Sequence, residues 1–194
     1  MREEAPMLIK TENDILAFVA EDKWMMEVLH AAKSLNLPDW WICAGFVRSK
    51  IWDVLHDFQD QTPLPDIDVI YFDGKNIDEL AEKQFENQLT QLLPHIPWSV
   101  KNEARMHIKN DFPPYSSSID AISKFPETVT ALGLTLDACN NVKLAAPWGI
   151  GDVIQLKIKP TPFFMETEER MLLYKERIKK KNWPLIWNKV EVIE

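Results

Sequence analysis

The fold of this chain is decided by two stretches, Ile42-Cys43-Ala44-Gly45-Phe46-Val47-Arg48-Ser49-Lys50 and Asp66-Ile67-Asp68-Val69-Ile70. Residues 40–44 are a short apolar run typical of a buried strand, and a glycine follows at once. Apolar residues then recur at helical spacing as far as Phe58. Residues 67–72 are β-branched or aromatic, which favours a second strand after a proline-punctuated loop. The two stretches therefore predict a strand, a helix, a loop and a strand.

The flanking sequence predicts further helices and strands. Helical periodicity is found at residues 11–35, with a break near 21–23, at 77–93 and at 166–181, and residues 118–124 suit a short helix. Strands are predicted at 98–106, 132–136 and 142–145. This order indicates an α+β (α/β-like) fold, a mixed sheet flanked by helices, in which the strands around Trp41, Val69 and Val100 are neighbours.

The length and composition favour one folded domain over residues 1–194. We expect N-terminal helices at 11–36, a core at about 38–160 and a C-terminal helix at 165–182. The chain carries 30 acidic and 22 basic residues, a formal net charge of −8. An acidic total argues against an extended nucleic-acid surface, which requires a basic face. It fits better with a small anionic ligand bridged by a metal ion.

The sequence gives no sign of export or of a membrane. The N-terminus has no long apolar segment of the kind found in a secretory signal. No run of about 18 apolar residues is present that would suit a transmembrane helix. Cys43 and Cys139 lie too far apart for a disulfide framework or a zinc motif. We therefore expect a cytoplasmic protein with no membrane partner.

Asp66 and Asp68 are the candidate metal ligands. In a strand, residues i and i+2 point to the same side, so the two carboxylates project together. They repel each other unless a cation lies between them. Mg²⁺ suits such a pair, because it accepts one or two carboxylates together with phosphate oxygens.

Gly45, Arg48 and Ser49 are the candidate phosphate ligands. Gly45 opens a helix directly after a strand, and the free N–H groups of a helix start bind anions. Arg48 and Ser49 lie in the first turn, where their side chains can add hydrogen bonds. Each feature also has an ordinary explanation: an Asp-x-Asp pair is common at strand starts, the glycine suits a simple turn, and Arg48 suits a surface charge. Their combination in this order is less common and indicates a site.

The residues Ala44-Gly45-Phe46-Val47-Arg48-Ser49, followed by Asp66-Ile67-Asp68-Val69, resemble the head domain of CCA-adding enzymes and poly(A) polymerases. These enzymes belong to the polymerase-beta-like nucleotidyltransferase superfamily, whose head reads Gly-Gly-x-Val-Arg-Asp and then Asp-x-Asp. Over nearly its whole length the chain also resembles a family of small bacterial stand-alone nucleotidyltransferase-like proteins. Residues 102–107 and Ala146-Pro147-Trp148-Gly149 are similar to that family's later blocks.

The resemblance implies an enzyme. Its reaction would be Mg²⁺-dependent transfer of a nucleoside monophosphate from a nucleoside triphosphate to an unknown hydroxyl acceptor, which could be a small molecule, a protein or RNA. By position, Gly45, Arg48 and Ser49 would hold the triphosphate, and Asp66 and Asp68 would bind the metal. The regions for base recognition and tRNA binding have no counterpart, so CCA addition itself is not expected.

The chain departs from the superfamily pattern at three points. Ala44 replaces the first glycine of the pair, and Ser49 replaces the aspartate after the arginine. The third carboxylate of the superfamily lies on a later strand, where Glu103 is the only acid, near the expected position rather than at it. Glu103 is therefore either a catalytic carboxylate or a solvated strand residue. These departures leave open a catalytically inactive nucleotide-binding module or a protein-interaction module on the same fold.

Three other features have open interpretations. Arg105 and His107 would share a strand face, if the strand runs that far, where they could contact phosphate or a substrate; for His107 the alternative is a structural or surface residue. Trp183 and Trp187 could pack the C-terminus or line a cleft. The run Lys179-Lys180-Lys181 suits the solvated end of a helix.

Overall fold

A computed structural model describes residues 9–193 of the chain. The elements, in chain order, are α1 (Glu12–Glu21), α2 (Lys23–Ser34), β1 (Trp41–Cys43), α3 (Gly45–Leu55), β2 (Ile67–Tyr71), α4 (Glu79–Leu92), β3 (Trp98–Asn102), α5 (Glu103–Asn110), α6 (Ser118–Ser123), β4 (Gly133–Leu136), β5 (Val142–Ala145), α7 (Gly151–Ile154), β6 (Lys157–Ile158), α8 (Pro162–Met165), α9 (Glu168–Lys181), a 3-10 turn (Trp183–Leu185) and β7 (Glu191–Val192). In this part of the chain no helix is long and apolar enough to cross a membrane.

The N-terminal helix pair begins and breaks where the sequence predicts. The Thr11 hydroxyl accepts a hydrogen bond from the Asp14 N–H, and the Asp14 carboxylate accepts one from the Thr11 N–H, which forms a capping box. Asp22 ends α1 and begins α2, since its carboxylate accepts a hydrogen bond from the Met25 N–H. Both helices pack against the hydrophobic core through residues such as Ile15 and Leu29.

A five-stranded mixed sheet in the order β3-β2-β1-β4-β5 forms the centre of the fold. The pairs β1–β2, β1–β4 and β4–β5 are antiparallel, and β2–β3 is parallel. The strands around Trp41, Val69 and Val100 are therefore neighbours, and the predicted α+β architecture, a mixed sheet flanked by helices, is confirmed. The register places Asp68 of β2 opposite Cys43 of β1, next to the residues that begin α3.

The C-terminal part of the chain returns to α3. The indole Nε1–H of Trp52 in α3 donates to the Val153 carbonyl at 3.0 Å, and the rings of Trp183 and Trp187 lie edge-on to the Trp52 ring. Strand β7, near the end of the described residues, pairs in parallel with β6, and β6 contacts α7. Residues that are far away in sequence therefore cover the side of α3 that carries Trp52.

The predicted strand at 98–106 is wrong in its second half. Strand β3 ends at Asn102, and Glu103 begins helix α5. The Asn102 side-chain oxygen accepts a hydrogen bond from the Ala104 N–H, which caps the helix, while its amide donates to the carbonyls of Asp73 and Asn76. This cap ends the strand, so the side chains of residues 103–106 follow helical spacing and do not alternate between the two faces of a sheet, as a strand would require.

Candidate active site

The junction between β1 and α3 is the start of the candidate site. Ala44 has φ 54° and ψ −112°, a conformation that favours glycine and is strained for any other residue. No side chain caps α3, so the first N–H groups of the helix remain available to a ligand. A Cβ atom built on Gly45 would lie 3.8 Å from Arg48 Nη2 and 4.0 Å from Ser49 Oγ. The missing side chain of Gly45 therefore leaves space beside these donors.

Asp66 and Asp68 lie across from this junction. Asp66 is exposed immediately before β2, and Asp68 is half-buried within it. Burial, and then the negative charge of Asp66, raises the pKa of Asp68 to about 6, although a hydrogen bond with Ser99 acts in the opposite direction. The two carboxylates thus repel each other in the way the sequence analysis expected.

A cavity of about 270 Å³ joins these two groups of residues; we call it the junction cavity. The five residues predicted for phosphate and metal binding all line it: Gly45, Arg48, Ser49, Asp66 and Asp68. The sequence places them up to 23 positions apart, between 45 and 68, and the β1–β2 pairing brings them together. The structure therefore gathers this predicted set in one place.

Arg48 is not a surface charge. The residue is only 7% exposed, and its guanidinium carbon lies 4.2 Å from the ring centre of Trp183, 5.1 Å from that of Trp52 and 5.5 Å from that of Trp187. Its Nη2 donates to Ser49 Oγ at 2.9 Å, while its buried Nε has no hydrogen-bond partner within the described part of the chain. Burial lowers the pKa of Arg48 to about 10, against the opposing effect of Glu127. A cation held this way beside the start of α3 is suited to an anionic ligand.

Glu103 lies on the other side of Asp68. It is the first residue of α5, only 6% exposed, so the interpretation as a solvated strand residue is wrong. Burial, and then the charges of Asp68 and Glu82, raises the pKa of Glu103 to about 8. Glu103 does not line the junction cavity; it lines a larger one of about 960 Å³, which we call the basic cavity, together with Asp68.

Arg105 and His107 do not share a strand face. Both lie on α5 rather than on a strand face. The Arg105 guanidinium donates to both carboxylate oxygens of Glu82 in α4, at 3.0 Å and 2.8 Å, which fixes α5 against α4. The His107 ring packs edge-on against Tyr115, 6.2 Å between ring centres. Arg105 is therefore engaged with Glu82 rather than directed at a ligand.

Arg177 and Lys181 of α9 were not among the predicted site residues. Both line the junction cavity, and the positive charges of Lys181 and Arg177 act to lower the pKa of Asp68. Arg177 Nε also donates to the buried carboxylate of Glu127 at 2.7 Å. Helical spacing of four positions places the two residues on one face of α9, a signal that was available in the sequence. Lys179, Lys180 and Lys181 are exposed at the end of α9, as predicted, and Lys181 also lines the junction cavity.

The candidate donors for a metal ion in this site are two carboxylates. Within residues 9–193, no group of three or more histidine, cysteine, aspartate or glutamate side chains is placed to hold a metal ion by itself. Two carboxylates, those of Asp66 and Asp68, are enough for Mg²⁺, because this ion takes one or two carboxylates and completes its coordination shell with water and phosphate oxygens. The arrangement therefore fits a metal that arrives together with a phosphorylated substrate.

Comparison with solved structures defines the class of protein. The chain is similar to a protein whose NMR structure is described as revealing a CCA-adding enzyme head domain, with 36% sequence identity and a TM-score of 0.88 over 98% of this chain and 100% of that chain. The fold is thus the α+β nucleotidyltransferase fold. A family model described as Nucleotidyltransferase matches residues 30–192. The chain belongs to this nucleotidyltransferase family.

Longer proteins share the fold at low sequence identity. A CCA-adding enzyme in complex with CTP is 13% identical with a TM-score of 0.54, over 96% of this chain and 44% of that chain. The Thermotoga maritima CCA-adding enzyme in complex with tRNA is 14% identical with a TM-score of 0.51, over 95% of this chain and 43% of that chain. The present chain therefore spans less than half of these enzymes. No curated protein matches it.

Proposed function

We propose that this protein is a Mg²⁺-dependent nucleotidyltransferase that transfers a nucleoside monophosphate from a nucleoside triphosphate to a hydroxyl acceptor. The observation that carries the proposal is the junction cavity. It brings two mutually repelling carboxylates, Asp66 and Asp68, against an uncapped helix start and a buried arginine. Acidic and basic groups at one point suit a metal–triphosphate complex, which presents a cation to the acids and anionic oxygens to the donors.

The triphosphate is held by the start of α3 in this proposal. The free N–H groups after Ala44 and the hydroxyl of Ser49 donate to phosphate oxygens, and Arg48 supplies a positive charge. Arg177 and Lys181 face the same cavity from α9 and neutralise further negative charge. This side of the site therefore binds the part of the substrate that leaves as pyrophosphate.

Asp66 and Asp68 would hold Mg²⁺. When bound, the ion would draw the phosphate oxygens to the carboxylates and stabilise negative charge on them during the reaction. Asp68 lines both cavities, and in this proposal the acceptor hydroxyl arrives beside it.

The reaction is a displacement at the α-phosphorus. The acceptor oxygen forms a bond to this phosphorus as the bond to the bridging oxygen of the β-phosphate breaks, so pyrophosphate leaves. The hydroxyl proton passes to the Asp68 carboxylate, or to Glu103 where that group is ionised, at a pH near or above its pKa of about 8, and from there to water.

A binding and turnover experiment tests this function. Each of the four ribonucleoside triphosphates is titrated with and without Mg²⁺, followed by ligand-detected NMR, and pyrophosphate release is then measured with candidate acceptors. We expect Mg²⁺ and triphosphate to strengthen each other's binding. Binding without release of pyrophosphate under any condition would assign an inactive nucleotide-binding module. Absence of binding would leave a protein-interaction module on the same fold.

The variant Arg48→Met sharpens the test. A lost charge-assisted hydrogen bond corresponds to about 1.5–3 kcal/mol, so triphosphate affinity should fall roughly ten- to a hundredfold. Stability should change by less than about 2 kcal/mol, because the loss of contacts with the tryptophan rings is offset by removal of a buried charge. Titration calorimetry and thermal melting measure the two effects. Intact affinity with a sharply lower melting temperature would show that Arg48 is structural.

A further inference from the structure

The basic cavity lies beyond Asp68 from the junction cavity. Its volume is about 960 Å³, and Asp68, Arg177 and Lys181 line both cavities. Gly45, Ser49 and Asp66 line only the junction cavity, and Glu103 lines only the basic cavity. Asp68 is therefore the carboxylate at which contents of the two cavities would meet.

The chemistry of transfer assigns an occupant to this space. This step rests on the proposed function. In an in-line displacement the attacking oxygen and the leaving oxygen lie on opposite sides of the phosphorus. If pyrophosphate leaves within the junction cavity, where Gly45 and Ser49 are, the acceptor hydroxyl approaches from the other side of Asp68. The acceptor then occupies the basic cavity.

One wall of the basic cavity is one face of α9, and five basic residues line the cavity as a whole against three acidic ones: Lys101, Lys124, Arg177, Lys180 and Lys181 against Asp68, Glu103 and Glu176. Leu173, Glu176, Arg177 and Lys180 recur at spacings of three, one and three, so one face of the helix borders the cavity. Within residues 9–193, neither Lys180 nor Lys181 forms an ion pair. Unpaired ammonium groups at a cavity wall favour a ligand with negative charge.

Aromatic side chains form other parts of the cavity wall. Phe112, Tyr115, Phe125 and Phe164 line the cavity, and Phe112 and Phe164 stack edge-on with ring centres 6.1 Å apart. Aromatic walls favour flat apolar groups, through burial and ring stacking. The cavity thus combines a surface for a planar apolar group with the unpaired ammonium groups of α9.

We propose that the hydroxyl acceptor is a small molecule with an aromatic or similarly flat body and an anionic group, bound in the basic cavity. The volume is that of a small-molecule site. A long polynucleotide would need a continuous basic surface, whereas this chain has a formal net charge of −8. Lys180 and Lys181 lie together at the end of α9, which suits one or two negative charges.

The test uses 8-anilinonaphthalene-1-sulfonate as an aromatic anion and N-phenyl-1-naphthylamine as its uncharged counterpart, both followed by fluorescence. Lys180→Met removes a charge at the cavity, and Lys179→Met removes an exposed charge from the same helix outside it. Leu173→Glu places a negative charge at the cavity wall, and Leu172→Glu places one on the neighbouring exposed position. Melting curves check that all four variants are folded.

We expect Lys180→Met and Leu173→Glu to weaken binding of the sulfonate about three- to tenfold, as the loss or reversal of one partly exposed charge allows. Lys179→Met and Leu172→Glu should leave it unchanged. The uncharged counterpart should bind the wild type more weakly and be insensitive to Lys180→Met. Equal sulfonate affinity in all four variants would overturn the proposal.

Two further measurements separate this inference from the proposed function. If Mg²⁺ and ATP bind the wild type but the sulfonate shows no dependence on Lys180, the acceptor site is wrong and the nucleotidyltransferase remains. If the sulfonate behaves as expected but no triphosphate binds, the proposed function fails, and the acceptor assignment with it. A 12-nucleotide RNA with a free 3′ hydroxyl is titrated in parallel. Tighter binding of this RNA than of the sulfonate, weakened by Lys180→Met, would assign a polynucleotide acceptor instead.

Discussion

Replacing Asp68 with asparagine should make the metal-free protein more stable at neutral pH. The half-buried Asp68 carboxylate lies beside the negative charge of Asp66, and the two effects raise its pKa from 3.8 to about 6. The folded state therefore disfavours the charged form of this group. Asparagine has nearly the same size and carries no charge, so the substitution removes both the desolvation cost and the repulsion.

The size of the effect follows from the pKa. Each pKa unit corresponds to about 1.4 kcal/mol, so the shift from 3.8 to about 6 amounts to roughly 3 kcal/mol at most. Asparagine also alters the hydrogen bond with Ser99, which stabilises the carboxylate. We expect a net gain of about 1–3 kcal/mol at pH 8. For a protein of this size that is a rise of several degrees in melting temperature.

The size of this stability difference depends on pH. The folded pKa of Asp68 is raised, so the wild type carries no penalty from this group below its unfolded pKa of 3.8 and loses stability as the pH rises through about 6. The asparagine side chain of the variant does not titrate. The stability difference between the two proteins should therefore be small at pH 4, grow between pH 4 and 7, and stay constant above that.

Urea unfolding at pH 4, 6 and 8 measures the difference, and Asp60→Asn is the matched control. Asp60 is an exposed carboxylate in the loop before β2, where a surface substitution should change stability by less than about 0.5 kcal/mol. Mg²⁺ with ATP should raise the melting temperature of the wild type and of the Asp60 variant but not of the Asp68 variant. Marked destabilisation by Asp68→Asn, with the ligand-induced rise preserved, would refute the metal assignment.

Two other substitutions test the strained junction and the buried acid. Ala44→Gly should stabilise the protein by about 0.5–2 kcal/mol, because relief of the backbone strain at φ 54° exceeds the entropy cost of glycine. The control Ala145→Gly in β5, where the backbone is extended, should destabilise the protein. Thermal melting compares the two variants, and a loss of stability in Ala44→Gly would contradict the strain. Glu103→Gln should stabilise the protein, and the gain should grow as the pH rises from 4.5 to about 8 and reach about 2–4 kcal/mol at pH 9. The reason is that the folded wild type disfavours the ionised carboxylate of Glu103, whose pKa is raised to about 8, and so loses stability over this pH range. Urea unfolding at pH 5, 7 and 9 measures this, and a pH-independent difference would show that Glu103 is already ionised in the folded state.

Local chemistry made much of the fold predictable. The capping box at Thr11 and the break at Asp22 depend on contacts within four residues, so their signatures are complete in the sequence. The β1–α3 junction is equally local, because an apolar run ends at a glycine. The assignment of residues 1–194 to one domain stays a prediction.

The same local signal was missed at Asn102. An asparagine followed by an acidic residue is a typical helix start, and it competed with an apparent strand alternation that continued to Met106. The capping bond to Ala104 and the hydrogen bonds to the turn after β2 decided the outcome. This error placed Glu103 on a strand, whereas its position at the start of α5 is what buries it beside Asp68.

The environment of Arg48 could not be read from the sequence. The nearest ring, that of Trp183, lies 135 positions further along the chain, from 48 to 183, and no periodicity connects the two. The sequence showed an arginine in a first helical turn, which is compatible with a surface charge or a phosphate ligand. Only the return of the C-terminal segment to α3 distinguishes them.

Asp53 connects the two halves of the junction cavity. This residue of α3 is only 4% exposed, and its carboxylate accepts hydrogen bonds from the N–H and hydroxyl of Thr62, at 2.8 Å and 2.6 Å, and from the Trp187 indole at 2.8 Å. Thr62 lies in the loop that leads to Asp66, and Trp187 lies beside the Arg48 guanidinium. One buried carboxylate therefore positions both the loop that carries a metal-ligand candidate and the aromatic ring beside the phosphate-ligand candidate. Because charged hydrogen bonds of this kind are among the stronger ones in proteins, the acidic and basic sides of the cavity are held at a fixed separation before any ligand arrives.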